Sequence, residues 1–466
     1  MLNHFPKFIS TRAVICYFLT LFVVSVFFMS YALPFQFILF GAIPVVMFFS
    51  YSNQLSLKWH RFSEKTFIRK LFLISLVIRV VYVVFIYFYY IEMTGYPHAF
   101  YKGDEGLYQL AAETMVFDGF DSLKGLINQY VGFSDSGYCW WLGIECWILG
   151  TAHVLPARLL KCVIDAFSCV LMYNLAKRNF GDSVGRITAI FCMLMPNKWY
   201  YCGVTLKETE MAFLVILFVE RADLALRSKQ ISIQNLLFPG LIILAMFTFR
   251  TALAAVLFAA LVAALVLSSE KQLELWKKVL YSSIFAIWMF FTVGVEMIQE
   301  TQELWAGRAQ NQAVGYEWRS ETNSFAKYAS ASVFAPLIFT IPFPTMVAVP
   351  GQENQMMMNG GNFIKNIISG LTIFALFLLL LSRDWRKHVL PIAVMVGYLV
   401  VLVFSNFAHS ERFHFPVLAF ELMFAAYGVT HLKNKQKRWL VLWLVFISVA
   451  NFAWAYVKLA GRGYRV

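Results

Sequence analysis

Residues 71–91 read LFLISLVIRVVYVVFIYFYYI, with Arg79 as their one charge. A helix of about 20 predominantly apolar residues crosses the hydrocarbon of a bilayer. The stretch therefore predicts a membrane-spanning helix, and the same reading repeats along the chain. Apolar runs fall near 13–30, 33–51, 71–91, 159–177, 187–203, 209–226, 233–249, 251–268, 279–297, 364–382, 389–406, 415–431 and 439–457, which makes thirteen candidate spans. Two further pieces, 137–155 and 329–349, are interrupted by Gly or Pro and polar residues and are expected to be interfacial or re-entrant. Composition agrees, since 60% of the 466 residues are apolar and 14% are charged, against roughly 45–50% and 25% in a soluble domain. A soluble enzyme, a disordered chain and a disulfide scaffold are excluded. The expectation is an all-α polytopic membrane protein in which residues 1–466 form a single membrane domain.

Loops set the direction of threading, because Lys and Arg gather on the cytoplasmic side. Lys58, Arg61, Lys65, Arg69 and Lys70 precede the third run, and Lys177, Arg178 and Arg186 separate the fourth from the fifth. Arg383, Arg386 and Lys387, and later Lys433, Lys435, Lys437 and Arg438, form further basic loops. All of them fall inside when the amino terminus is cytoplasmic. Lys7 and Arg12 ahead of the first run resemble a signal sequence, but a second run from Leu33 follows at once, so an uncleaved hairpin is expected. The net charge of +13 then reports topology and contact with anionic lipid, and a nucleic-acid partner is not needed. The seven cysteines lie mostly in apolar runs and form no C-x-x-C pair, which points to neither zinc nor a redox motif. Two outer segments are long, 92–158 and 298–363, and long ordered connections usually carry function.

The first of these contains YKGDEGLYQLAAE, residues 101–113. Apolar positions 107, 110, 111 and 115 recur at helical spacing, which predicts an interfacial amphipathic helix with Asp104 and Glu105 at its start. The helix dipole alone favours acids there. A carboxylate at the water–lipid boundary can also take a proton from an acceptor hydroxyl or hold a divalent cation against a phosphate. Charge recurs at the same boundary in three places. Arg158-Leu159-Leu160-Lys161 opens the fourth run, Leu206-Lys207-Glu208-Thr209-Glu210 opens the sixth, and FAHSERFHFP, residues 407–416, opens the twelfth.

This order of features resembles the C-type glycosyltransferases, polytopic membrane enzymes that include the protein O-mannosyltransferases and the aminoarabinose transferases. The resemblance runs over roughly residues 70–430, and two spans precede the family's usual first one. It implies transfer of a sugar from a polyprenyl-phosphate-linked donor to a glycan, lipid or protein acceptor, with inversion. The reaction would take place at the outer, periplasmic face of a bacterial inner membrane, in the assembly of a cell-surface glycan or glycolipid. The family's first-loop acid matches Asp104, with Glu105 beside it. Its Arg ahead of the next span matches Arg158, its second-loop element matches Lys207 and Glu208, and its late Arg-aromatic element matches Arg412. Asp104 is then the expected catalytic base, with Glu105 beside it to orient the acceptor or bind a cation. Arg158, Lys161, Lys207 and Arg412 are expected to neutralise the donor phosphate as it leaves. Glu208, His409, His414 and Arg319 are supporting candidates. A divalent cation, magnesium or manganese, fits the chemistry, but no Asp-x-Asp pair offers to hold it.

Each of these residue types also has an ordinary role. Cations at span ends anchor to lipid headgroups, a Lys207–Glu208 pair can be solvated and contribute little, and an outer His is commonly a surface residue. Arg250, in a tight turn between two runs, reads as an anchor. Arg79 and Asp165 lie inside runs, where a charge is paired, functional or snorkels to the boundary. In the second long segment Arg308, Tyr316, Glu317, Trp318 and Arg319 offer surfaces common in carbohydrate sites, and GQENQMMMNGG, residues 351–361, reads as a mobile lid tip. Two alternatives to single-sugar transfer stay open: a surface-polysaccharide polymerase, and a transporter or flippase of lipid-linked glycan. A transporter needs polar residues through the bundle centre and often a repeat between halves. The charges here collect at one boundary instead.

Overall fold

The computed structural model describes residues 2–100, 103–228, 233–267, 336–404, 408–433 and 436–461, together with Ser283, Ile287 and Tyr464. The expected run 279–297 and most of the second long outer segment lie outside these residues. The described chain is helical, and its one β pairing is an isolated bridge between Ala32 and Val347. Among the described residues seven elements are long and apolar enough to cross a membrane. They are α1 (Lys7–Phe27), α2 (Phe35–Trp59), α3 (Glu64–Thr94), α14 (Asn359–Ser382), the segment Asp384–Val403 that ends in α15 (Val389–Val403), α16 (Glu411–Thr430) and α17 (Lys437–Ala460). Shorter apolar helices are α11 (Ile233–Phe249) and α12 (Thr251–Leu267), while α7 (Val154–Phe180) and α10 (Glu208–Leu226) carry charges buried inside the bundle. Phe22, Phe88 and Leu442 are more than half exposed on α1, α3 and α17, which is the surface a bilayer covers rather than water.

The expected run 187–203 is not one helix. It divides into α8 (Asp182–Leu194) and α9 (Pro196–Cys202), because Pro196 lacks an amide hydrogen and its ring clashes with the preceding turn. The break leaves carbonyls of α8 without helical donors at a depth where water cannot serve them. Arg79 supplies the donors: Nη2 reaches the Cys192 carbonyl at 3.2 Å and Nη1 the Met193 carbonyl at 3.4 Å. Trp199 Nε1 adds a hydrogen bond of 2.8 Å to Met193. The buried guanidinium is answered by Asp165, 2.5 Å from its Nε, and Asp165 also receives Lys198 at 2.5 Å. Arg79 and Asp165 therefore do not snorkel. They pair inside the bundle and close a helix break.

Between α3 and α7 run α4 (Gly103–Phe117), α5 (Phe120–Tyr130) and α6 (Phe133–Leu149). The interfacial helix expected from Leu107 starts four residues earlier, at Gly103, with Asp104 and Glu105 in its first turn. The piece 137–155 is helical as far as Leu149, where Gly150 adopts φ 67° and ends it. α6 packs on α4 and α11.

Residues 351–361 form no lid tip. They make α13 (Glu353–Met357) and the first turn of α14, and Met356 to Gly361 are buried. The reason lies in two glycines: a Cβ on Gly360 would stand 2.4 Å from the Gly41 carbonyl oxygen, and one on Gly361 would stand 2.1 Å from Asn197 Oδ1. Only residues without side chains let α14 approach α2 and α9 this closely. The described part of 329–349 has no α-helix and is largely buried, bonded to α14. Asn366 Nδ2 donates to the carbonyls of Thr340 and Pro342 at 2.5 and 3.0 Å, and Lys365 Nζ donates to that of Ile341 at 2.5 Å. Non-helical backbone inside a membrane bundle is tolerated where side chains satisfy it in this way.

Candidate active site

Four helix amino ends meet at one end of the bundle. α4, α6, α10 and α16 each carry acids in the first turn: Asp104 and Glu105, Asp135, Glu208 and Glu210, and Glu411. A helix amino end presents unpaired N–H groups and a partial positive charge, which favours anions. Arg412 ties two of these ends together. Its Nη1 donates to Asp104 Oδ2 at 2.5 Å and its Nε donates to Glu208 Oε1. Glu208 is fully buried, whereas the Asp104 side chain is 53% exposed. Arg250 reaches the same Glu208 oxygen at 3.6 Å, lies over the Phe413 ring and donates to Tyr398 Oη at 3.1 Å.

Lys207, on the connection into α10, donates to Asp135 Oδ1 at 2.5 Å and to the carbonyls of Ser134 and Phe249. Tyr108 donates to Asp135 as well, at 2.7 Å. Burial works to raise the Asp135 carboxyl, but the Lys207 ammonium and these hydrogen bonds hold it below its ordinary value. Burial, and after it the Arg250 charge, pulls the Lys207 ammonium down against the opposing effect of Asp135.

Glu105 lies behind Asp104 at 1% exposure with both oxygens engaged. Its Oε2 accepts from His98 Nδ1 at 3.2 Å and from the Ala99 amide at 3.1 Å, and its Oε1 accepts from the Thr205 amide at 2.9 Å. Burial alone would raise this carboxyl, yet the His98 hydrogen bond and the Arg158 charge keep it below the usual carboxylate range. Arg158 Nε donates to Thr205 Oγ1 at 3.1 Å and its Nη2 stands 3.7 Å from Glu105. Both of its Nη atoms are buried without a hydrogen bond, so two charged donors remain to be satisfied. Lys161 donates to the carbonyls of Val204 and Leu206 and stands 3.4 Å from Glu210. Beside them, burial and the Glu210 charge push Glu145 up to about 7.

Asp104, Glu105, Arg158, Lys161, Lys207, Glu208 and Arg412 are thus brought to one end of the bundle from four separate stretches of sequence. The two histidines are not. His414 is two positions beyond Arg412, which turns it about 200° around the helix. It is 1% exposed, with Nδ1 2.9 Å from Lys365 Nζ and Nε2 donating to the Ala408 carbonyl. His409 stacks on Trp454 of α17. Arg319, with Arg308, Tyr316, Glu317 and Trp318, lies outside the described residues.

Asp135, Arg250, His98 and Thr205 went unnoticed in the sequence or were read as anchors. Asp135 had a signal, since an acid three residues past Gly132 marks a helix start. Arg250 and Thr205 had none, because their partners come from other helices. Four of the carboxylates here are already engaged by other groups. Asp104 and Glu208 share one guanidinium, Asp135 is bound to Lys207, and Glu105 is held by backbone amides. Among the described residues no three His, Cys, Asp or Glu side chains are placed to ligate one ion.

Residues 358–463, from α14 through α17 with Arg412 among them, match the Alg9-like mannosyltransferase family, which has the C-type fold. No curated protein matches the chain. This family match, on described residues that are mostly helical and hold seven membrane-length apolar elements, supports a polytopic membrane glycosyltransferase of the C type.

Proposed function

We propose that the chain moves a sugar from a polyprenyl-phosphate-linked donor to an acceptor hydroxyl, with inversion, in the assembly of a cell-surface glycan or glycolipid. The observation that carries this reading is the guanidinium of Arg412, shared between exposed Asp104 and buried Glu208 where four helix amino ends meet. The basic loops at the other end of the bundle support a site on the outer face of a bacterial inner membrane. The name of the matched family makes mannose the first sugar to try.

A donor phosphate arriving at these helix ends competes with Asp104 for Arg412 Nη1 and releases the carboxylate. Asp104 then takes the proton of the acceptor hydroxyl as that oxygen forms its bond to the anomeric carbon from the side opposite the phosphate. The bond between the anomeric carbon and the phosphate oxygen breaks, and the electron pair leaves with the polyprenyl phosphate. Arg412 and the two unsatisfied Nη atoms of Arg158 neutralise the charge that develops there. Glu105 acts as a positioning residue, holding Arg158 and the Thr205 backbone. Asp135 and Lys207 fix the amino end of α6 against α10. No step is assigned to a metal.

The test is transfer by the purified, reconstituted full chain from a panel of radiolabelled polyprenyl-phosphate sugars, mannose among them, to an envelope extract. Wild-type transfer that disappears in a normally folded Asp104→Asn protein supports the reading. An active Asp104→Asn protein removes the mechanism, and no transfer from any single-sugar donor returns weight to a polymerase or a transporter.

A further inference from the structure

At the end of the bundle opposite Asp104, a cavity of about 510 Å³ opens between the amino end of α8 and the turns that follow α7, α10, α14 and α16. It lies about 30 Å along α7 from Arg158, at 1.5 Å per residue. Its volume is in the range of small-molecule sites. One wall is a run of tilted, closely packed rings: Phe180 meets His388 at 4.2 Å and Tyr427 at 4.7 Å, and Tyr427 meets His431 at 4.1 Å.

Charge around the cavity is paired. Arg178 contacts Glu220 and Asp223, Arg227 contacts Asp223, Lys387 contacts Asp384, and Arg186 contacts Asp182. A simple anion therefore meets no excess of positive charge. What the cavity offers is both signs of charge within one aromatic-walled space. Ser183 and Val184 contribute first-turn amides of α8, which such a helix leaves without acceptors. His388 is 6% exposed, and its Nδ1 is bound to Asn179 Oδ1 at 2.8 Å. Because Nδ1 faces an amide oxygen it carries the ring hydrogen, and in that tautomer Nε2 is the acceptor. Its Nε2 keeps a lone pair and makes no hydrogen bond among the described residues.

We propose that this cavity binds the zwitterionic headgroup of an ethanolamine phospholipid from the adjacent leaflet. The phosphate is served by the α8 amino end with Arg227 and Lys387 on the rim. The ammonium is served by Asp384, by the Nε2 lone pair of His388 and by the faces of the ring wall. Both halves of the ligand then find a partner without breaking the chain's own ion pairs, because a carboxylate has several acceptor sites and a guanidinium five donors. The aliphatic side chains of Leu2, Val184 and Leu379, which also line the space, suit the glycerol end.

The experiment uses the delipidated full chain in detergent, with thermal unfolding and native mass spectrometry read against short-chain phosphatidylethanolamine, phosphatidylcholine, phosphatidylglycerol and free O-phosphoethanolamine. The expected result is saturable stabilisation by phosphatidylethanolamine, at least about tenfold tighter than by the other two lipids. His388→Gln and the exposed-pair variants Asp384→Asn and Lys387→Gln should weaken it, and Asp104→Asn should leave it unchanged. Equal response to all three lipids, tighter binding of phosphatidylglycerol, equal binding of free O-phosphoethanolamine, or full binding in all three variants each overturns the proposal.

Discussion

Arg412 and Asp104 are 308 positions apart in the chain and 2.5 Å apart in the fold, joined Nη1 to Oδ2. The same guanidinium uses its Nε for Glu208, so one planar fork fixes the first turns of α4 and α10 relative to α16. Lysine keeps the charge but cannot bridge two carboxylates in this geometry. Arg412→Lys is therefore expected to lower kcat by about 100-fold or more while the protein still folds. Steady-state kinetics beside a thermal unfolding curve separate the two effects, and a Lys variant within a few-fold of wild type would sink this role.

Asp104 and Glu105 are neighbours with opposite expectations. The Asp104 side chain is half exposed, and its replacement by Asn should change stability by about 0.5 kcal/mol or less. Glu105 is buried against Arg158, His98 and two backbone amides, and removing it strands a buried guanidinium. Glu105→Ala should destabilise the protein by roughly 3–5 kcal/mol. Denaturation of the two variants side by side decides it: equal stability contradicts the assignment of Glu105 to positioning.

Gly360 tests the helix crossing that replaces the expected lid. A Cβ there meets the Gly41 backbone at 2.4 Å, so Gly360→Ala should cost about 1–3 kcal/mol through overpacking. Gly125, within α5, has nothing within 4 Å of a Cβ, and Gly125→Ala should gain up to about 1 kcal/mol from helix propensity. Melting temperatures that move in the same direction for both would contradict the close crossing.

Glu145 predicts a pH dependence. Its carboxyl is raised to about 7 in the folded chain and returns to about 4.3 on unfolding. Between those values the folded state holds a proton that the unfolded state has lost, so stability falls as pH rises across the window. Glu145→Gln cannot ionise. Its melting temperature should equal that of wild type below about pH 4.3, draw ahead through the window and keep its full lead above about pH 7. A constant difference at every pH would show that Glu145 does not titrate in this way.

Much of the fold was legible because hydropathy is a sum over neighbouring residues. The run 71–91 needs no partner to be apolar for the length of a bilayer, and α3 covers it from Glu64 to Thr94. The acids of the candidate site were legible for a related reason. Asp104, Glu105 and Glu208 sit in first helical turns, where the dipole of their own helix favours them. Local signals failed where a neighbour decided the outcome. Residues 351–361 have the composition of a mobile loop, yet Gly360 and Gly361 are bare so that α14 can press on α2 and α9.

By itself the sequence determined that long apolar helices dominate the chain and that acids and bases stand at several of their ends. Each of these depends on a residue and those within a turn or two of it. Only the tertiary structure decided which charges meet. Asp104 takes Arg412, Glu208 takes Arg412 and Arg250, and Asp165 takes Arg79 and Lys198, while His414 turns from the cluster to Lys365. An ion pair forms at a few ångströms, and a distance of that size between residues hundreds of positions apart is set by how whole helices pack.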